Sequence, residues 1–196
     1  MAHKGYHFFA FISRMKYITR WGLMRNTQSE NIQEHSLQVA IIAHALAKIK
    51  NKIYGGNVNA ERTAVLAMFH DCNEIITGDM PTPVKYFSPE IMNAYKNLES
   101  VSKKRILNML PDELKDEYSS ILFHNNGDEE HWKLVKAADR ISAYIKCIEE
   151  VKAGNREFKK AGESILKTIM DIDLPEVKYF MEKFIPSFSL SLDEID

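Results

Sequence analysis

The chain has 196 residues, of which 45% are hydrophobic and 27% are charged, so it can bury a core, and intrinsic disorder is excluded as its main state. Its 26 Lys and Arg residues nearly balance its 27 Asp and Glu residues, which gives no sign of binding to nucleic acid or to an anionic membrane. Two cysteines are too few for a disulfide framework, and no apolar run has the length of a membrane span or a signal peptide. We expect a cytoplasmic protein with neither nucleic-acid nor membrane partners.

Apolar residues recur at spacings of three and four along most of the chain, as they do on the buried face of a helix. The helices predicted from this spacing cover, in chain order, about residues 7–19, 31–50, 59–78, 88–110, 111–123, 128–154, 156–170 and 175–186. Short polar residues precede four of these helices and glycines end two of them, as is typical of helix caps. The N-caps are Asn31, Asn59, Ser88 and Asp128, and the terminating glycines are Gly78 and Gly154.

The segment at residues 79–83 should not be helical, because Pro81 and Pro83 fall within three residues of each other. No segment shows the sustained alternation of apolar and polar residues that indicates a strand, and there is no internal repeat. The sequence therefore predicts an all-α protein, a helical bundle of about seven to nine helices. We expect one domain over residues 1–196, with about residues 156–196 forming C-terminal helices that pack on the core.

A histidine and an aspartate, His70 and Asp71, are adjacent inside the otherwise apolar third predicted helix. An aspartate is a poor helix former and is costly to bury without a partner. Glu74 follows four residues after His70, so all three side chains would lean toward one side of a continuous helix. A lone His-Asp pair carries little weight by itself, but this setting makes a functional role worth testing.

Two further polar residues interrupt apolar stretches, His35 at the start of the second predicted helix and Asp139 in the sixth. Either residue could instead be solvated or hydrogen-bonded at the edge of its apolar stripe. Asp139 could also form an ion pair with a neighbouring basic residue, Arg140 or Lys136. Taken singly, each of them is better explained without a function.

In chain order, His35, the pair His70 and Asp71, and Asp139 resemble the pattern of the HD-domain metal-dependent phosphohydrolases, all-α proteins in which these residue types hold a divalent metal. The surrounding segments are similar to one branch of that family, the bacterial 5′-deoxynucleotidases. These segments are NIQEHSLQVA at 31–40, FHDCNEIITGDMPTPVKYF at 69–87, VKAAD at 135–139 and FIPSFSLSLDEI at 184–195. The resemblance covers nearly the whole chain, and TGDMPTP is far more specific than the His-Asp pair.

The resemblance implies that His35, His70, Asp71 and Asp139 are ligands of one metal ion. Two imidazoles and two carboxylates make a mixed nitrogen and oxygen site, which suits Co²⁺, Mn²⁺ or a similar divalent transition metal. Such an ion lowers the pKa of water and polarises a phosphoryl oxygen, and so supplies a nucleophile for hydrolysis of a phosphate ester.

The resemblance also implies catalytic and substrate-binding residues. Glu74 is the first candidate for acid or base catalysis and Asp79 is the alternative, and the sequence does not divide orientation of water from proton transfer between them. Arg20 should take part in catalysis by binding the phosphate, although Arg14 or Arg25 would compete for that role on sequence alone. Trp21 should lie against the sugar or base. The residues expected at the substrate are Arg20, Trp21, His35, Asp71, Asp79, Met80, Pro81, Thr82 and Asp139.

The implied function is that of a metal-dependent 5′-nucleotidase, a homodimer that hydrolyses (deoxy)nucleoside 5′-monophosphates and prefers deoxyribose. One alternative is another HD phosphohydrolase that cleaves a cyclic nucleotide or a triphosphate, although only Arg20 is found near the proposed ligands to bind a polyphosphate. The other alternative is a catalytically silent nucleotide-binding module, against which the intact ligand positions and Glu74 argue. The near-neutral charge excludes a polyanion but not a single small phosphate.

Overall fold

The computed structural model describes residues 5–195, and this part of the chain contains eleven α-helices, two 3₁₀-helices and no β-strand. The α-helices are α1 (Phe8–Ile12), α2 (Ile32–Ile53), α3 (Ala60–Met68), α4 (Glu74–Thr77), α5 (Thr82–Lys85), α6 (Pro89–Leu107), α7 (Asp112–Leu122), α8 (Glu129–Lys152), α9 (Phe158–Met170), α10 (Pro175–Lys183) and α11 (Leu192–Ile195). The 3₁₀-helices are Ser13–Tyr17 and Ile185–Ser189. The predicted all-α fold class is confirmed. None of the described helices is both long enough and apolar enough to cross a membrane.

Three of the predicted N-caps act as caps in the structure. The side-chain oxygens of Asn31, Asn59 and Ser88 each accept a hydrogen bond from a backbone N–H in the first turn of the helix that follows. Asp128 precedes α8 but makes no capping hydrogen bond, because its carboxylate accepts from Arg62 at 2.7 Å. All four helices begin directly after the predicted cap residue, and the capping hydrogen bond forms where the short polar side chain has no competing partner.

The third predicted helix is interrupted at the His-Asp pair. Residues 69–73 form consecutive turns between α3 and α4, so the prediction that His70 and Asp71 lie inside a continuous helix is wrong. Apolar spacing runs through the break and conceals it. Asp71 and the buried Asn73 are residue types whose side chains favour turns over helix, and several amides here donate to carbonyls only three residues earlier.

Two other local predictions need correction. The first predicted helix is divided into α1 and the 3₁₀-helix Ser13–Tyr17. The segment at residues 79–83, predicted to be non-helical, is partly helical, because α5 begins with Thr82 and Pro83. Proline is tolerated in the first turn of a helix, where its missing N–H would have no intrahelical acceptor.

The described residues fall into two compact units. The first unit comprises residues 5–23, 29–36 and 69–126, and the second comprises 24–28, 37–68 and 127–195. Each unit has its own buried cluster. The cluster of the first unit consists of Phe8, Met15, Ile32, Cys72, Ile106, Leu110 and Leu122.

The cluster of the second unit combines side chains of α2, α3 and α8 with Ile169 of α9, Val177 and Phe180 of α10, and Ile185. The C-terminal helices thus contribute to that core. A single domain over residues 1–196 stays a prediction, and residues 1–4 and 196 lie outside the described residues.

Candidate active site

Three of the four predicted metal ligands come together in the first unit. His35 lies in the first turn of α2, which the Asn31 cap starts, and its side chain is completely buried. His70 and Asp71 lie in the turns between α3 and α4, with 9% and 21% of their side chains exposed. The break in the third predicted helix therefore turns two adjacent polar side chains toward the buried histidine.

The donor atoms of these three residues are spaced as metal ligands are. Asp71 Oδ2 lies 3.0 Å from His70 Nε2 and 3.6 Å from His35 Nε2, and one donor atom of each residue lies within 4.8 Å of the other two. Two ligands that bind one ion through bonds of about 2.1 Å lie roughly 3.0–3.5 Å apart in octahedral or tetrahedral geometry. The spacing and the mixed nitrogen and oxygen donors fit a divalent transition metal.

Asp139, the fourth predicted ligand, is a partly buried residue of α8. It belongs to the second unit, whereas the other three ligands belong to the first. Its assignment as a ligand stays a prediction.

Arg20 lies beside the predicted ligands. Its Nη1 atom is 3.6 Å from Asp71 Oδ2, and its Nε donates a hydrogen bond to Glu30 Oε2 at 3.2 Å. The two competing arginines are less suitable: Arg14 is exposed, and Arg25 belongs to the second unit with 91% of its side chain exposed. Of the three arginines, Arg20 contacts a predicted ligand, and its role toward a phosphate stays a prediction.

Trp21 is held by two carboxylates. Its backbone N–H donates to Asp79 Oδ2 at 3.2 Å, and its indole Nε1–H donates to Glu30 Oε2 at 2.9 Å. Its φ of 60° is the only positive φ of a non-glycine residue among the described residues. Such a backbone conformation is unfavourable for a residue with a Cβ, and it persists where the surroundings determine it.

Three acidic residues of the site differ in the direction of their pKa shifts. Burial raises the pKa of Glu74 to about 10, and the charges of Asp71 and Asp79 act in the same direction. The pKa of Asp79 is also raised, mainly by burial. For Asp71 burial raises the pKa, but His70 and other nearby positive groups outweigh it and hold the pKa well below its usual range. The surroundings thus favour the ionised form of Asp71 and the protonated form of Glu74.

The predicted sugar-contacting segment follows directly on Asp79. Met80 and Pro81 are partly buried, and Thr82 is exposed at the start of α5. Their contacts with a substrate stay a prediction.

The sequence analysis missed two residues of this site. Glu30 precedes the N-cap of α2 in a polar loop, where no periodicity or motif distinguishes it from a solvated glutamate. Lys85 lies in α5, and its charge opposes the rise in the pKa of Glu74. Neither residue was singled out, because its role depends on side chains that are distant in the sequence, although Lys85 lies within the segment at 69–87 that carries the resemblance.

Comparison with known proteins identifies relatives over almost the full length. The family model described as 5′-deoxynucleotidase YfbR-like matches residues 7–188. The chain is 54% identical to a 5′-deoxynucleotidase of Photorhabdus laumondii over 96% of both chains. It is 53% identical to a 5′-deoxynucleotidase of Vibrio cholerae over 96% of this chain and 97% of that protein.

Solved structures share the fold. A crystal structure of an HD-domain phosphohydrolase from Listeria innocua matches with a TM-score of 0.80 and 25% identity, over 93% of this chain and 88% of that one. A cyanophage S-2L HD phosphohydrolase, bound to dA and one catalytic Zn²⁺ ion, matches with a TM-score of 0.63 and 20% identity, over 91% of this chain and 96% of that one. At that identity the second likeness concerns the fold alone.

Proposed function

Because the chain belongs to the YfbR-like 5′-deoxynucleotidase family, we propose that it is a metal-dependent 5′-deoxynucleotidase, which hydrolyses a deoxynucleoside 5′-monophosphate to nucleoside and inorganic phosphate. The observation that carries this proposal is the cluster in which His35 Nε2 and His70 Nε2 lie within 3.6 Å of Asp71 Oδ2. Arg20 Nη1 lies 3.6 Å from the same carboxylate oxygen. A set of metal ligands beside a guanidinium suits hydrolysis of a single phosphate, because the metal can activate water and the guanidinium can bind phosphoryl oxygens.

We infer that His35, His70, Asp71 and Asp139 hold one divalent transition metal, such as Co²⁺ or Mn²⁺. When bound, the ion would lower the pKa of water and polarise the phosphoryl oxygen. His35 is completely buried, so packing fixes the position of its ring. Asp71 is ionised at neutral pH because its pKa lies below the usual range, as a carboxylate ligand requires.

Arg20 and Trp21 are assigned to the substrate. A guanidinium presents several N–H donors in one plane and can bind two phosphoryl oxygens at once. Glu30 accepts from the Nε edge of Arg20, which directs the other end of the guanidinium toward Asp71. The adjacent indole of Trp21 offers a flat apolar surface for the sugar or the base.

Glu74 is assigned as the acid that protonates the leaving 5′ oxygen. Burial raises the pKa of Glu74 and so favours its protonated form, and a buried acid with a proton can deliver it as the ester bond breaks. Asp79 holds the backbone N–H of Trp21 and is assigned to a sugar hydroxyl. Together with Met80, Pro81 and Thr82 it forms the wall at which a 2′ hydroxyl would be discriminated. The homodimer implied by the resemblance and the cytoplasmic location expected from the sequence belong to the same proposal.

The function is tested by phosphate release from a panel of nucleotides. The protein is treated with a chelator and dialysed, and Mn²⁺, Co²⁺, Zn²⁺ or Mg²⁺ is then added back separately. We expect a metal-restored release of phosphate from deoxynucleoside 5′-monophosphates, at a higher kcat/KM than from the matching ribonucleotides.

The panel also contains the substrates of the alternative functions. We expect no release of phosphate from 3′-monophosphates, and neither opening of cyclic nucleotides nor cleavage of triphosphates. Turnover of a cyclic nucleotide or a triphosphate instead of 5′-monophosphates would favour another HD phosphohydrolase. Absence of turnover with every metal, together with binding of 5′-monophosphates, would favour a silent binding module.

A further inference from the structure

Glu30 connects three residues of the site through one side chain. Its Oε2 atom accepts hydrogen bonds from Arg20 Nε at 3.2 Å and from Trp21 Nε1 at 2.9 Å. Its Oε1 atom lies 3.8 Å from His35 Nδ1. Only 13% of the Glu30 side chain is exposed, so these contacts lie largely out of competition with water, and each of them is stronger than it would be on the surface.

The backbone fixes Glu30 directly opposite Arg20. Arg20 N–H donates to the Glu30 carbonyl at 2.9 Å, and Ile32 N–H donates to the Ile18 carbonyl at 2.9 Å. Between these two hydrogen bonds lies an isolated antiparallel bridge that joins residues 19 and 31. These contacts close the loop of residues 21–29 at its base. They also hold the backbone of Glu30 beside that of Arg20, so the two side chains stay within reach of each other.

The contact with Trp21 stabilises a backbone conformation that no other non-glycine residue adopts in the described part of the chain. Trp21 has a φ of 60°, and its two N–H groups are bound by Glu30 at the indole and by Asp79 at the backbone. An unfavourable conformation is maintained when contacts on both sides hold it. Glu30 thus contributes to the direction in which the Trp21 ring points.

We propose that Glu30 is a positioning residue for the reaction, which holds the Arg20 guanidinium and the Trp21 indole in the orientation that receives the nucleotide. The proposal rests on the proposed function and deepens it, since Glu30 acts through Arg20 and Trp21 and does not itself touch the substrate. A hydrogen bond at Nε leaves the Nη side of the guanidinium directed toward Asp71, where the phosphate is expected. Without Glu30 the guanidinium can rotate about its side-chain torsions, and the phosphate loses a fixed partner.

Three substitutions separate geometry from charge. Glu30→Gln keeps an oxygen that can accept both hydrogen bonds but removes the negative charge. Glu30→Asp keeps the charge but is one methylene shorter and cannot reach both donors. Glu30→Ala removes both properties, and Glu113→Ala, at an exposed glutamate of α7 in the same unit, is the matched control.

We expect Glu30→Ala and Glu30→Asp to lose about 10–100-fold in kcat/KM for a deoxynucleoside 5′-monophosphate, since a displacement of about 1 Å can lower a rate about 100-fold. Glu30→Gln should stay within about threefold of the wild type, because the orientation of the donors determines the rate. In an Arg20→Ala background, Glu30→Ala should add little further loss, because the residue through which it acts is already absent. An equal loss from Glu30→Ala in both backgrounds, or no loss in either, would overturn the proposal.

A second readout needs no activity. In a Trp132→Phe background, Trp21 is the remaining tryptophan of the two in the chain, so its fluorescence reports the orientation and exposure of its own ring. We expect Glu30→Ala to change the emission maximum and quenching by acrylamide, and Glu30→Gln and Glu113→Ala to leave both near their reference values. If the wild type hydrolyses no 5′-monophosphate, the proposed function fails while this fluorescence still decides the role of Glu30. Unchanged fluorescence in Glu30→Ala would contradict the role directly.

Discussion

Asp71, Glu74 and Asp79 are carboxylic acids of one site, yet their surroundings shift their pKa values in different directions. His70 and other nearby positive groups outweigh the burial of Asp71 and hold its pKa below the usual range. Burial and two neighbouring acids keep the proton on Glu74. In an active site, carboxylic acids whose environments shift their pKa values in opposite directions take different roles. The resemblance already implied a ligand role for Asp71, whereas the division of roles between Glu74 and Asp79 was left open, because it depends on burial that residue identity does not encode.

Replacement of Glu74 by Gln tests the acid role. The amide keeps the size and a hydrogen-bond donor but cannot transfer a proton, so we expect kcat to fall about 100-fold or more. Binding of substrate and metal should persist, because neither requires the transferable proton. Single-turnover kinetics and the metal content of the purified variant measure the two effects.

The control for this prediction is Glu117→Gln, at an exposed glutamate of α7 in the same unit. It should keep the wild-type rate. A Glu74→Gln variant that turns over at full rate would remove Glu74 from the mechanism and leave Asp79 as the remaining candidate acid.

At the scale of elements, the helices with clear caps were predictable and the break between α3 and α4 was not. The caps act through local contacts, such as the side-chain oxygen of Asn31 with the amides of the next turn. The break depends on where polar side chains are buried: Asn73 is 3% exposed, and Asp71 faces two histidines. The periodicity of apolar residues identifies a buried face, but it does not show that the helix is interrupted within that pattern.

Another element-scale feature, Glu150 of α8, anchors the loop segment of residues 24–28 within the second unit. Its buried carboxylate accepts hydrogen bonds from the Thr27 N–H at 2.9 Å, the Thr27 hydroxyl at 2.7 Å and Asn155 Nδ2 at 2.8 Å. The ammonium of Lys146, itself buried, also donates to it. One side chain of a long helix thus satisfies several donors of a loop that has no regular structure of its own.

We expect Glu150→Gln to lower the free energy of unfolding by about 3 kcal/mol at neutral pH, because it leaves the buried Lys146 without its counter-charge. Burial alone raises the pKa of Glu150, but the hydrogen bonds from Lys146, Asn155 and Thr27 outweigh it, and the net pKa lies well below the ordinary value of 4.5. The unfolded state therefore takes up the proton first as the pH falls. The stability that the charge contributes is present above pH 4.5 and is lost on acidification below it.

Urea unfolding at a series of pH values measures this effect. The difference between wild type and Glu150→Gln should be largest at neutral pH and should shrink as the pH falls below about 4. Glu163→Gln, at an exposed residue of α9 in the same unit, should follow the wild-type curve at every pH. A constant difference across the series would show that Glu150 stabilises the fold by packing and not by charge.

At the scale of the molecule, the spacing of apolar residues predicted the helical class and composition gave the near-neutral charge, but neither could predict how the chain is partitioned. Each compact unit takes residues from three separate stretches of the chain, and α2 contributes its first turn to one unit and the remainder to the other. A linear sequence shows no composition shift at such a boundary, because the same helix crosses it. The resemblance succeeded where composition did not, since it relates distant residues such as His35 and Asp71 directly.

Removal of the metal should lower the thermal stability of the protein as well as the rate of phosphate release. An ion that binds the folded ligands and not the unfolded chain stabilises the fold by about 2.7 kcal/mol at a concentration 100 times its Kd. For a chain of this length that corresponds to a rise in Tm of roughly 5–10 °C. We expect chelation to lower the Tm of the wild type by this amount and added Mn²⁺ or Co²⁺ to restore it. Asp71→Asn, which replaces a charged ligand by a neutral amide, should show a Tm that responds to neither treatment. A similar response in Asp71→Asn would place the ion elsewhere in the protein, because the loss of an anionic ligand at the proposed centre must weaken binding there.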